Sequence, residues 1–205
     1  MITSLCLVPL VIGGCKHDGR SLPPPRDDQN QSISSLSQTT ETTTDPFATD
    51  GFDTVPTSIG SLTVTAPWRD GAEIDARYTC DGVNESPALA WSAAPEGTVE
   101  IAVTLSDLDV PGFVHWAIAG IAPTAITVAE DTVPLGAYEA ANSLGDTGYT
   151  GPCPPAGTQH LYLVTVHYLG EVTGLGDGSP GLDMVEAIES AEIARAEATG
   201  IFSRA

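Results

Sequence analysis

Apolar and polar positions alternate with period two along much of the chain beyond residue 60, the pattern of strands with one buried face. Leu62, Val64 and Ala66 alternate with polar residues in SLTVTA, and Leu89 and Trp91 share a face in SPALAWS. The run VEIAVTLS (99–106) reads as a central strand, VHWAIAGI (114–121) as a second, and HLYLVTVHYL (160–169) as the last clear strand. Asp70-Gly71 and Asp81-Gly82 mark turns, whereas residues 123–142 read as mostly irregular. The period changes to that of a helix once, after Ser179-Pro180. There a serine can cap and a proline suits the first turn. Met184, Ala187, Ile188, Ala191 and Ala194 fall on one side of this segment, and Asp183, Glu186, Glu189 and Glu197 on the other. Many short strands with one helix near the end predict a mainly β fold, a sandwich or barrel with a C-terminal α-helix.

The first sixty residues read differently. Residues 1–15 hold an apolar run closed by IGGC, the layout of a signal peptide. Residues 16–60 are rich in Ser, Thr, Pro, Gln and Asp, with too few apolar side chains to offset the entropy of ordering them. They read as a disordered tether before a domain spanning residues 61–205. Export to the cell envelope, periplasmic or outer-membrane, is therefore expected.

Charge narrows the function classes. The 27 acidic and 7 basic residues give a formal net charge of −20, and beyond residue 60 the basic residues are Arg69, Arg77, Arg195 and Arg204. A surface this acidic repels phosphate backbones, which argues against nucleic acid as a partner. Of four cysteines, Cys6 and Cys15 lie in the leader, leaving Cys80 and Cys153 in the domain. In an exported protein such a pair reads as a disulfide. A zinc half-site or a catalytic thiol would need neighbouring ligands or bases that the sequence does not place nearby.

The densest punctuation lies at 148–162, GYTGPCPPAGTQHLY, where glycines and prolines fix a loop that runs straight into a strand. Such a loop can present Tyr149, Cys153, His160 and the backbone N–H groups left between the prolines. Asp107 and Asp109 in SDLDVPG and His115 in FVHW fall at other strand ends, where rigid scaffolds display functional groups. No GxSxG, HExxH, P-loop or dinucleotide fingerprint is present. A zinc site from Asp107, His115 and His160 is conceivable in composition. A bound anion is simpler, because imidazolium, tyrosine hydroxyl and loop N–H groups all donate to phosphate oxygens.

SDLDVP, FVHW and GYTGPCPPAGTQHLY, in this order and at this spacing, resemble the phosphatidylethanolamine-binding protein (PEBP) family; YTCDGVNESPALAW is similar to its bacterial YbhB/YbcL-like branch, which includes relatives of Raf kinase inhibitor protein. The resemblance runs from about Leu62 to Arg204. It implies two antiparallel sheets with Greek-key links and a small anion pocket at one end of the sandwich. By motif position, Asp107, Asp109, Phe113, His115, Tyr149, Gly151, Cys153, Pro154, His160 and Tyr162 would line or support that pocket, with no catalytic residue, metal or cofactor. It also implies that the TCDG and GPCPP loops lie side by side, where Cys80 and Cys153 could bridge them. IGGC resembles a bacterial lipobox, with Cys15 as the lipidated residue and the membrane reached only through that anchor.

The implied function is non-catalytic binding of a small anion or phospholipid head group, such as phosphate or phosphoethanolamine. An inhibitor or interaction module acting on a protease, kinase or envelope protein is the alternative, and a hydrolase a more distant one. Several positions depart from the family pattern. Leu108 and Val110 stand where proline and alanine are usual, Gly120 where asparagine is, and Leu161 where the family places an arginine that ion-pairs with the aspartate loop. The family often has a cis peptide in that loop, for which Val110-Pro111 is the available bond.

Overall fold

The computed structural model describes residues 61–205; the leader, the lipobox with Cys15 and the tether lie outside the described residues. Eight strands and one helix follow in order: β1 (Val64–Thr65), β2 (Leu89–Trp91), β3 (Glu100–Asp107), β4 (Val114–Ile121), β5 (Thr127–Val128), β6 (Tyr138–Glu139), β7 (Gln159–Leu169), α1 (Gly181–Ala191) and β8 (Glu192–Ser203). A single 3-10 turn, Ala76–Tyr78, interrupts the segment before Cys80. All strand pairs are antiparallel. They form a three-stranded sheet in the order β1-β2-β5 and a five-stranded sheet in the order β6-β4-β3-β7-β8.

The two faces of the larger sheet bury different things. Ile101, Val103 and Leu105 of β3, with Trp116 and Ile118 of β4, pack against Leu89, Trp91 and Val128 of the smaller sheet. On the reverse face, Ala102, Ala117 and Ala119 admit Met184 and Ile188 of α1, both fully buried. Small residues there let the helix approach closely, and because both faces are covered, β3 and β4 are buried almost throughout. Truncating Ile188 to alanine would cost about 2–5 kcal/mol.

Two expectations are corrected at the C-terminus. The helix ends at Ala191, and Ala194 and Glu197 belong to β8, a twelve-residue edge strand paired with β7 along almost its whole length. The helix therefore precedes the final strand instead of closing the chain. Ser179 also does not cap: its hydroxyl accepts from the Gly176 N–H, and Pro180 occupies the cap position without a side-chain bond. No peptide bond among the described residues is cis, so Val110-Pro111 is trans.

Candidate functional site

Strand order brings the three polar clusters together. β3 lies between β4 and β7 and runs antiparallel to both, so its last residue, Asp107, meets the first residues of its neighbours, His115 on β4 and His160 on β7. Register places Asp107 opposite Tyr162. Beyond Asp107 the chain turns, and the carboxylate itself organises the turn: Oδ1 accepts the N–H groups of Asp109 (2.8 Å) and Val110 (3.2 Å). That leaves Oδ2 facing the histidines. His160 Nδ1 lies 2.7 Å from it and His115 Nε2 4.0 Å.

The ring of His115 is oriented from behind. Nδ1 lies 2.8 Å from the Thr150 carbonyl, which can only accept, so Nδ1 carries the proton and Nε2 is the free atom. Burial is the largest influence on this imidazole and pushes its pKa below the ordinary value, against the opposing pull of the Thr150 carbonyl and Asp107. Phe113 packs on it with ring centroids 4.6 Å apart, and Tyr162 meets it edge-on at 5.3 Å.

These groups open into a cavity of about 320 Å³, walled by Asp107, Val110, Phe113, His115 and His160 from the sheet end, and by Leu144, Thr150, Gly151, Cys153 and Pro155 from loops. No arginine or lysine lines it. A larger, more open groove of about 530 Å³ lies between Trp68, Tyr78 and Phe202 and holds Arg69, Glu73 and Asp75 but no histidine. The converging chemistry is in the smaller cavity.

The loop wall is fixed by polar contacts as well as prolines. Cys80 and Cys153 form a disulfide with Cα atoms 5.4 Å apart, Cys80 N–H donates to the Pro152 carbonyl, and Gly151 N–H donates to Asn84 Oδ1 at 2.7 Å. The Gly151 N–H is thus committed to the wall itself. Asn84 holds φ 64°, a left-handed conformation that asparagine tolerates better than most residues. Nothing in its short polar neighbourhood singled it out from sequence.

Six of the ten expected residues line the cavity: Asp107, Phe113, His115, Gly151, Cys153 and His160. The other four stand behind it. Tyr149 donates its hydroxyl to the Tyr78 carbonyl at 2.6 Å and sets its ring edge-on to Trp116, so it braces the loop and does not face the cavity. Pro154 is buried beneath the loop, and Pro155 takes the place expected for it. Asp109 turns back to accept the Leu161 N–H at 2.7 Å. Tyr162 is fully buried behind both histidines, with no hydrogen-bond partner for its hydroxyl in range among the described residues. Burial first, then the charge of Asp107, pushes its pKa well up, so it remains a neutral phenol. Of the remaining wall residues, Val110, Thr150 and Pro155 lie within the SDLDVPG and 148–162 motifs, whereas Leu144 is a wall residue without a sequence signal, placed by a loop whose path sequence periodicity does not describe.

The family model described as phosphatidylethanolamine-binding protein matches residues 64–203. Among curated relatives, the Mycobacterium tuberculosis protein named "Putative lipoprotein LppC" is 39% identical over 145 residues, covering 69% of this chain and 72% of that protein. UPF0098 protein YbcL of Escherichia coli is 34% identical over 137 residues, covering 61% and 75% respectively. The crystal structure of E. coli YbcL, described as a member of the mammalian PEBP family, superposes with a TM-score of 0.66 at 29% identity, covering 71% of this chain and all of that one. The shared sandwich, the three motifs at its end and these relatives together establish that the chain belongs to the phosphatidylethanolamine-binding protein family.

Proposed function

We propose that this chain is an envelope-held binding protein that takes a small phosphate-bearing ligand, free phosphate or a phosphoethanolamine head group, without turning it over. The observation that carries the reading is the convergence of His115 Nε2, His160 and Asp107 Oδ2 on one cavity of head-group size. A protonated Nε2 donates to phosphate oxygens, while Asp107 accepts from an ammonium group. Cys153 is tied to Cys80, so it cannot act as a thiolate nucleophile in the resting protein.

Because burial keeps His115 neutral, anion binding there must draw in a proton, and affinity should rise as pH falls. The test is a titration with inorganic phosphate and with phosphoethanolamine, followed by imidazole NMR at about pH 5.5 and about pH 7.5. Shifts in the His115 and His160 rings, with His167 still and tighter binding at the lower pH, support the reading. Both rings unmoved at millimolar ligand overturns it. Phosphoethanolamine binding more tightly than phosphate, with the difference lost in Asp107→Asn, assigns the ammonium contact.

The lipoprotein name of the mycobacterial relative and the IGGC run support a lipid anchor at Cys15. Cys15→Ser should then release the protein from the membrane fraction. Retention there in the variant argues against anchoring through this residue.

A further inference from the structure

We infer that Asp107, Asp109 and His160 bind a divalent transition-metal cation beside the cavity, and that this cation provides a counter-charge for the phosphate of the ligand. One ligand atom from each of the three lies within 4.8 Å of the others. Each carboxylate is held through one oxygen by backbone donors: Asp107 Oδ1 by the Asp109 and Val110 N–H groups, Asp109 Oδ2 by that of Leu161. Their other oxygens keep lone pairs for a ligand, the arrangement in which outer contacts aim coordinating carboxylates.

A second, independent observation points to the same place. The Tyr162 hydroxyl is fully buried without a hydrogen-bond partner, and Tyr162 is the cross-strand neighbour of Asp107 and stacks along His160 at 6.3 Å. A cation with its bound water or phosphate would give that hydroxyl an acceptor. Two oxygens and an imidazole suit Zn²⁺ or Mn²⁺ better than Ca²⁺ or Mg²⁺. His160 would enter with its proton on Nε2 and its Nδ1 lone pair on the metal, replacing the present contact to Asp107.

The cation also answers a charge deficit. No arginine or lysine lines the cavity, and the chain carries a net charge of −20. Two carboxylates beside an anion site oppose the anion unless a positive charge sits between them. This link to phosphate rests on the function proposed above, whereas the cation site stands on its own geometry.

The experiment titrates chelator-treated protein with Zn²⁺ alone by calorimetry and with Mn²⁺ by paramagnetic broadening of histidine resonances. The expected result is one saturable site, broadening centred on His160, and affinity about tenfold or more lower in Asp109→Asn. That variant keeps a carbonyl oxygen for the Leu161 N–H, and thermal unfolding checks that it folds. His167→Gln, at an imidazole held by Thr104 and Glu192 away from the cavity, should leave the cation affinity unchanged. No saturable binding, or equal affinity in wild type and Asp109→Asn, overturns the site. Phosphate is then titrated with Zn²⁺ and with excess chelator. Tighter binding with Zn²⁺ supports the coupling; equal affinity in both overturns the coupling and leaves the phosphate reading intact. Zn²⁺ binding with no phosphate binding in either condition supports the cation site and removes the phosphate reading.

Discussion

The backbone N–H of Leu161 donates to the Asp109 carboxylate at 2.7 Å, while the Leu161 carbonyl accepts the Leu108 N–H at 2.9 Å. The family pattern places an arginine at this position to tie down the aspartate loop. Here the main chain of β7 ties it instead, so the side chain is free to be leucine. Asp109→Ala should therefore lower stability by about 1 kcal/mol, the scale of one hydrogen bond to a charged acceptor at an exposed rim. Leu161→Arg should change it by less than about 0.5 kcal/mol, as surface substitutions do. Urea unfolding of the two variants measures both, and a larger loss for Leu161→Arg would show that the leucine side chain, not its backbone, holds the rim.

Two buried histidines should make the fold sensitive to acid. His115 and His167 are each about 4% exposed, and burial lowers both pKa values below the ordinary value of about 6.5. At His167 the Glu192 carboxylate, 2.5 Å from Nδ1, works against that lowering without reversing it. Below about pH 6.5 the unfolded chain takes up protons that the folded chain refuses, so stability is full above that pH and declines as pH falls toward the folded-state values. Melting temperature should drop between about pH 7 and about pH 5, and His115→Gln and His167→Gln should each flatten that slope. An unchanged slope in both variants would place the acid sensitivity elsewhere.

How far the sequence predicted these features depended on how each one is encoded. β3, β4 and β7 carry long apolar or alternating runs, and their ends mark the cavity because antiparallel neighbours must bring those ends together. β8 was hidden by composition. Ala194, Ala196 and Ala198 with Arg195 and Glu197 between them favour a helix locally, yet Ala196, Ala198, Gly200 and Phe202 are buried on alternate positions of the strand that pairs with β7. Pairing along an eleven-residue strand outweighs the few tenths of a kcal/mol per residue by which alanine prefers a helix. Tyr149 was misplaced for another reason: a tyrosine in a loop looks like a ligand donor until its hydroxyl is found on the Tyr78 carbonyl.

The disulfide should matter for stability more than for cavity shape. It joins residues 73 apart in sequence, and chain-entropy arguments give about 4 kcal/mol for a loop of that size. Three hydrogen bonds nevertheless link the same two loops: Cys80 N–H to the Pro152 carbonyl, Gly151 N–H to Asn84, and the Tyr149 hydroxyl to the Tyr78 carbonyl. Cys80→Ser with Cys153→Ser should lower unfolding free energy by about 2–4 kcal/mol. The His115 and His160 ring resonances should keep their chemical shifts. Large shifts in the folded double variant would mean that the covalent bond alone holds the wall.

Gly151 is the position where the loop tolerates least. A Cβ placed there would lie 2.2 Å from the Tyr78 carbonyl oxygen and 2.8 Å from Asn84 Oδ1, and the first of these is backbone anchored by the 3-10 turn. The clash cannot be relieved by rotating a side chain, so Gly151→Ala must push the 148–155 loop away from Asn84 and carry the Thr150 carbonyl with it. Thr150 is what fixes the His115 tautomer, so the displacement reaches the cavity through one hydrogen bond. The variant should lose about 3 kcal/mol of stability, at the upper end of overpacking costs. Any phosphate affinity should fall with it, and the His115 ring should show exchange between tautomers by NMR. Gly157→Ala, in the same loop but with open space around its Cβ position, should leave the His115 signal unchanged despite the strain of φ 79°. If both variants disturb His115 alike, general loop strain and not the Gly151 contact controls the tautomer.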